Sequence, residues 1–166
     1  MAKPPGLLDA HIAALISALS LEPHPEGGRF RRIFRSALSV RPSDERAPRP
    51  ALTSIYFLLT AEEHSRWHRV NSDEVWHFYE ADPLELFWID EAGTLHREVL
   101  SAEPGAQHVA VVPAGCWQAA RAAGSYALVG CTVAPGFDFD DFEMIEESSV
   151  DRERLLRVTQ GLPSFF

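Results

Sequence analysis

Cysteine is scarce in this chain: Cys116 and Cys131 are its only two among 166 residues. They stand 15 positions apart, which fits neither a zinc finger nor a CxxC redox motif. They read as buried thiols in a reducing compartment, which places the protein in the cytoplasm. No apolar run approaches the roughly 18 residues that a membrane span requires, so no membrane association is expected. The opening Met-Ala-Lys-Pro-Pro-Gly also lacks the continuous apolar core of a secretory signal. Positive charge is in short supply, with 15 Lys and Arg against 24 Asp and Glu and a net charge of −9. Such a chain repels phosphate backbones, which argues against nucleic acid as a partner.

What remains is the composition of an ordinary globular core, 46% hydrophobic and 23% charged. The length suits a single domain over residues 1–166. Twelve prolines and ten glycines favour many turns over long helices. The spacing of Leu8, Ile12, Leu15, Ile16 and Leu19 predicts one amphipathic helix over about 7–20, with Asp9 in its first turn. Short β segments follow over about 28–145: 29–36, 53–60, 74–79, 84–90, 94–100, 108–112, 117–121 and 126–133. Turn residues separate them, as at Ala-Asp-Pro 81–83, Glu-Pro-Gly 103–105 and Pro-Ala-Gly 113–115. Many short strands without alternating helices predict an all-β sandwich, jelly roll or barrel. The stretch 41–50 reads as a surface loop. The tail 149–166 reads as a short helix with Leu155, Leu156 and Val158 on its apolar side. Asp138, Asp140 and Asp141 are rich in oxygen but lack EF-hand spacing.

Three segments concentrate the residues that carry chemistry. They are Ser65-Arg66-Trp67-His68 with Asp73–Tyr79, then Pro113–Gln118, then Glu22–Gly28. Period-two alternation puts Arg66 with His68 on one strand face. It puts Glu74, Trp76 and Phe78 on one face of the next strand, and Val75, His77 and Tyr79 on the other. Glu74 and His77 therefore face apart, and His77 reads as a structural or interface residue. With Arg66, His68, Glu74 and Gln118 pointing inward, a barrel would hold polar groups among aromatic walls, as small-molecule pockets do. Glu26, in the Pro-Glu-Gly-Gly turn, and Tyr56 are further candidates to bind a ligand. Arg29, Arg31, Arg32 and Arg35 read either as solvated strand positions or as contacts for an anionic ligand.

These segments resemble the paired motifs of the cupin superfamily, in which His-x-His and a glutamate precede a second motif, Pro-x-Gly-x-x-His. In metal-binding cupins three histidines and the glutamate hold one divalent ion. This chain departs at two of the four positions, with Arg66 in place of the first histidine and Gln118 in place of the last. The chain is more closely similar to cupin family five, a group of domains of unknown function. That likeness rests on 21–28 through Arg35-Ser36, 53–59, 67–79, 112–120 and 130–137. The resemblance implies a double-stranded β-helix, or jelly-roll barrel, between an N-terminal and a short C-terminal helix. It also implies a homodimer.

Two activities follow as expectations. One is a metal-independent pocket, with no cofactor, that binds or isomerises a small polar, carbohydrate-like or anionic metabolite. Here the chain resembles sugar-nucleotide 3,5-epimerases, which implies His68 as base, Glu74 to orient it and Arg66 to stabilise an anion. Arg35, Trp76 and Phe78 would contribute to ligand binding. The other is a metal-dependent dioxygenase or isomerase in which His68, Glu74 and Gln118 ligate zinc, iron, nickel or manganese.

Overall fold

The computed structural model describes residues 5–146 and 149–166. Helix α1 (Pro5–Ala18) leads into β1 (Glu22–Pro23) and β2 (Arg29–Arg35). Two short strands, β3 (Ser39–Val40) and β4 (Arg49–Pro50), pair with each other. Then come β5 (Thr53–Thr60), β6 (His64–Val70), β7 (Asp73–Ala81), β8 (Leu84–Ile89) and β9 (Leu95–Leu100). The chain continues through β10 (Val109–Val112), β11 (Trp117–Ala122) and β12 (Tyr126–Ala134). A 3-10 turn (Phe139–Asp141), β13 (Phe142–Met144) and α2 (Val150–Val158) complete it.

The strands form two antiparallel sheets, ordered β1-β2-β5-β12-β7-β10 and β13-β6-β11-β8-β9. Apart from β1-β2 and β8-β9, neighbours in the sheets are not consecutive in the chain, as in a jelly roll, which is the expected fold class. The inner faces meet in an apolar plug built around Phe57, Trp76, Phe78, Leu86 and Val129. Continuing along the same inner stripes, Thr53, Val70, Glu74 and Val133 line a cavity instead. One end of the barrel is thus packed solid, and the other holds the cavity.

Helix α1 lays Leu8, Ile12, Leu15 and Ile16 over Leu58 and Leu128 on the outside of the first sheet. The second sheet is covered by the tail, with Leu155 and Phe165 packed on Trp67, Phe87 and Trp117.

Three local expectations change. Helix α1 begins at Pro5, so Asp9 lies beyond the first turn. On α2, Leu155 is buried but Leu156 is exposed, because the helix turns only one stripe to the sheet. The stretch 41–50 is not simply a solvated loop. Arg49 is buried against Asp141, with Nε donating to Oδ2 at 2.9 Å and Nη2 to Oδ1 at 3.0 Å. Arg46 donates to the same carboxylate at 3.1 Å. These bonds tie the loop to the turn beside the cavity and occupy the Asp141 carboxylate.

Candidate functional site

The cavity measures about 390 Å³. Its polar floor comes from three places in the sequence: the turn between β1 and β2 supplies His24 and Glu26, β6 supplies His68, and β7 supplies Glu74. Ile55, Val133 and Phe30 form apolar wall, and Phe137 and Phe139 stand on the segment before β13.

Glu26 is almost fully buried in a tight turn, because two glycines in left-handed conformation follow it. The turn is clamped to β6, where the Arg66 N–H donates to the Glu26 carbonyl at 2.8 Å. Ser65 Oγ donates to Glu26 Oε1 at 2.8 Å. The other oxygen, Oε2, lies 3.3 Å from His68 Nε2 and 3.4 Å from His24 Nδ1.

These contacts fix where the protons sit. His68 Nδ1 is 2.7 Å from the Arg66 carbonyl oxygen, which can only accept, so Nδ1 carries the hydrogen. Nε2 of a neutral imidazole is then a bare acceptor facing a carboxyl oxygen. Two acceptors at that distance need one proton between them. Burial pushes Glu26 up and His68 down, so the neutral form of the pair, with the proton on Glu26, is favoured. His24 is likewise lowered, mainly by burial.

Glu74 makes its hydrogen bonds away from this pair, although both members act on it electrostatically. Its Oε2 accepts a 2.6 Å bond from Gln118 Nε2, and Gln118 Oε1 accepts one from Trp76 Nε1 at 3.0 Å. Burial pushes Glu74 up to about 7, against the opposing pull of His68. Cys131 lines the cavity with Glu74, and burial raises its thiol well above the usual range. A thiol held protonated in this way is no nucleophile.

Glu26, His68 and Glu74 thus converge on the cavity, with Gln118 buried directly behind Glu74. Trp76 and Phe78 also face inward, but they belong to the plug rather than the cavity lining. Tyr56 points the other way: Ile55 and Phe57 take the inner positions of β5, so Tyr56 packs outside, edge-on to Tyr79. Arg66 does not share a face with His68. On β11 Gln118 pairs with His68 and Ala120 with Ser65, so β6 carries a bulge between them that turns Arg66 outward. Its guanidinium instead donates to the Pro25 carbonyl at 2.6 Å. Arg35 is exposed beyond the cavity, opposite Thr53. His77 sits half-buried on the outer side of β7.

Sequence reasoning passed over His24, whose signal was its place two residues before Glu26 in one turn. It also passed over Cys131 and the phenylalanines, which only the fold brings together.

The four positions that align with a cupin metal shell do not make one here. Arg66 is a cation facing away, and the Gln118 oxygen is held by Trp76. His68 and Glu74 alone remain. Among the described residues, no group of three or more His, Cys, Asp or Glu is arranged to hold a metal ion.

Comparison with known proteins agrees with this architecture. Residues 13–145 match the family model described as Cupin superfamily (DUF985). A hypothetical protein from Leishmania major is 34% identical, over 88% of this chain and 90% of its own, with a TM-score of 0.76. A protein from Shewanella oneidensis is 34% identical over 91% and 96%, with a TM-score of 0.75. Oxalate decarboxylase from Bacillus subtilis shares the fold at 15% identity and a TM-score of 0.55; this chain covers 34% of it. No curated protein matches the chain. The match over residues 13–145 and the two 34% identical structures place this chain in the cupin superfamily, in its DUF985 family.

Proposed function

We propose that this cupin is a metal-independent proton-transfer protein, which isomerises a small polar metabolite next to a carbonyl group. The observation that carries the reading is the pairing of two unlike proton sites across one cavity. Glu26 Oε2 lies 3.3 Å from His68 Nε2, while Glu74 makes its hydrogen bond to Gln118 and has a pKa raised to about 7. A base is most effective when its pKa lies near the working pH. Glu74 fits that role, removing a proton from carbon. The Glu26–His68 pair fits the role of acid, giving its proton to the carbonyl oxygen as an enol forms. The geometry thus favours a division of labour opposite to the one the epimerase resemblance implies. No cation lies on the cavity floor, so a neutral proton donor does the work that Arg66 was expected to do.

The test is deuterium wash-in from D2O into a panel of keto acids and ketoses, followed by proton NMR. Exchange should rise with pH through about 7 as Glu74 ionises, and fall by roughly 100-fold or more in His68→Gln. Saturable binding of panel members without any exchange would leave a binding module and sink the catalytic reading.

The reading includes a second copy of the chain as partner and a reducing, cytoplasmic setting. Two free cysteines support the setting. Exposed Tyr79, Val109 and Val111 on β7 and β10 support the dimer. Sedimentation should give a dimer at micromolar concentration, and a monomer once Val109 and Val111 are both changed to Glu. A wild-type monomer would exclude a stable dimer.

A further inference from the structure

The cavity is electrostatically lopsided. Its floor carries carboxyl and imidazole groups and no Lys or Arg. Its exposed lining residues include Arg31, Arg32 and the acid Glu22, whereas Glu26 and Glu74 are buried. In β2, Arg32 lies opposite Ile55, and Phe30 lies opposite Phe57, so Arg32 and Phe30 share the inner face. Arg31 lies opposite the outward-facing Tyr56. A bulge at Ile33 then places Arg35 opposite Thr53, which lines the cavity, so Arg32 and Arg35 return to one side.

These arginines stand in a chain with an excess of acids. Arg46, Arg49, Arg69, Arg97 and Arg121 each have a carboxylate partner. Among the described residues, Arg31, Arg32 and Arg35 form no ion pair within 4 Å. Arg41, Arg66, Arg152, Arg154 and Arg157 likewise form no ion pair among the described residues, so what singles out Arg32 and Arg35 is their place together on the cavity side of β2, where a guanidinium is free to meet another anion.

We propose that Arg32, with Arg35 beside it, holds an ionised acid group of the ligand at the mouth, a carboxylate or a phosphate. A neutral, carbonyl-bearing part then enters towards Glu26, His68 and Glu74. An anion on the floor would face Glu74 and Glu26 with no countercharge, whereas at the mouth it meets a planar guanidinium able to grip two oxygens. The ligand therefore has a charged tail and an uncharged head. The anion site stands on the arginines themselves; only the chemistry assigned to the head rests on the proton-transfer reading.

The test compares matched probes by NMR titration of the full chain. Dihydroxyacetone phosphate is set against dihydroxyacetone, and levulinate against methyl propyl ketone. The charged member of at least one pair should bind about tenfold or more tightly, as charge-assisted bonds imply. That preference should disappear in Arg32→Ala, shrink in Arg35→Ala and persist in Glu74→Gln. Preference within one pair alone assigns the site to phosphate or to carboxylate. Equal binding, no binding by any probe, or a preference unchanged in Arg32→Ala overturns the proposal. Arg32-dependent binding without proton exchange in the bound probe keeps the anion site and removes the proton-transfer reading.

Discussion

Replacing Glu74 with glutamine should stabilise the protein by about 3 kcal/mol at about pH 8 while abolishing any proton exchange, as expected where a pKa is displaced by some two and a half units. The carboxyl is buried and raised from 4.5 to about 7. Between those values the native state holds a proton that the unfolded state has released. Unfolding free energy therefore falls as pH rises through that window, and the loss is complete above about 7. A glutamine of the same shape can still accept the bond from Gln118 but never ionises. His24 and His68, both lowered by burial, act in the opposite sense, adding stability as pH rises towards their unperturbed value of 6.5. They remain in the variant, so the difference curve isolates Glu74, apart from a further drop in His68 once its neighbouring charge is gone. Denaturant unfolding across the pH range gives the answer directly. The difference between the two proteins should be small near pH 4 and grow through neutrality. A flat difference would mean that Glu74 ionises normally in contact with water, and its role as a base poised at neutral pH would go with it. A stabilising change that removes activity is the expected signature of a carboxylate kept in an unfavourable place for its chemistry.

The parts of this site that were legible in the sequence are those set by local periodicity. Alternation put Glu74 on the face of Trp76 and Phe78 and His77 on the other. The Pro-Glu-Gly-Gly turn marks Glu26 as a pocket candidate. Alternation fails where a strand gains a residue, because every side chain beyond that point changes face. Arg66 is lost from the pocket for that reason, and Arg35 returns to the side of Arg32 for the same one. Tyr56 shows a different limit. Period two divides β5 into two sets, but only the packing of the second sheet on one face and of α1 on the other decides which set faces inward. Arg49 and Asp141, 92 positions apart, meet through tertiary folding alone, and no local pattern pairs them. His68 stands between these cases. Its place as a candidate was legible, but neither its direction nor its partner was: the carboxyl it meets is Glu26, from a turn 42 residues earlier.

Gly27→Ala should cost more than about 3 kcal/mol and draw Glu26 away from His68, because two penalties coincide at one position. Gly27 has φ +110°, a conformation L side chains rarely adopt. A methyl group there would also run into the His64 carbonyl, which belongs to β6 and cannot rotate aside. Relief requires the turn to lift from β6. The Arg66 N–H would then lose the Glu26 carbonyl, and Ser65 and His68 would lose the carboxyl. Gly115→Ala is the matched control. Its φ is +78°, but nothing lies within 4 Å of the added carbon, so only the conformational cost applies, about 1 kcal/mol. Denaturation midpoints give the energies, and NMR titration of His68 reports the site. With Glu26 withdrawn and water admitted, the imidazole should move back up towards its unperturbed pKa of 6.5. That shift should be absent in Gly115→Ala. If both variants lose the same stability and His68 titrates alike in each, the turn is not clamped to β6. The shared proton between Glu26 and His68 would then not be a fixed feature of the cavity. If they differ as expected, the double glycine is what holds the acid in place, and its function is to bring the Glu26 carboxyl to the imidazole.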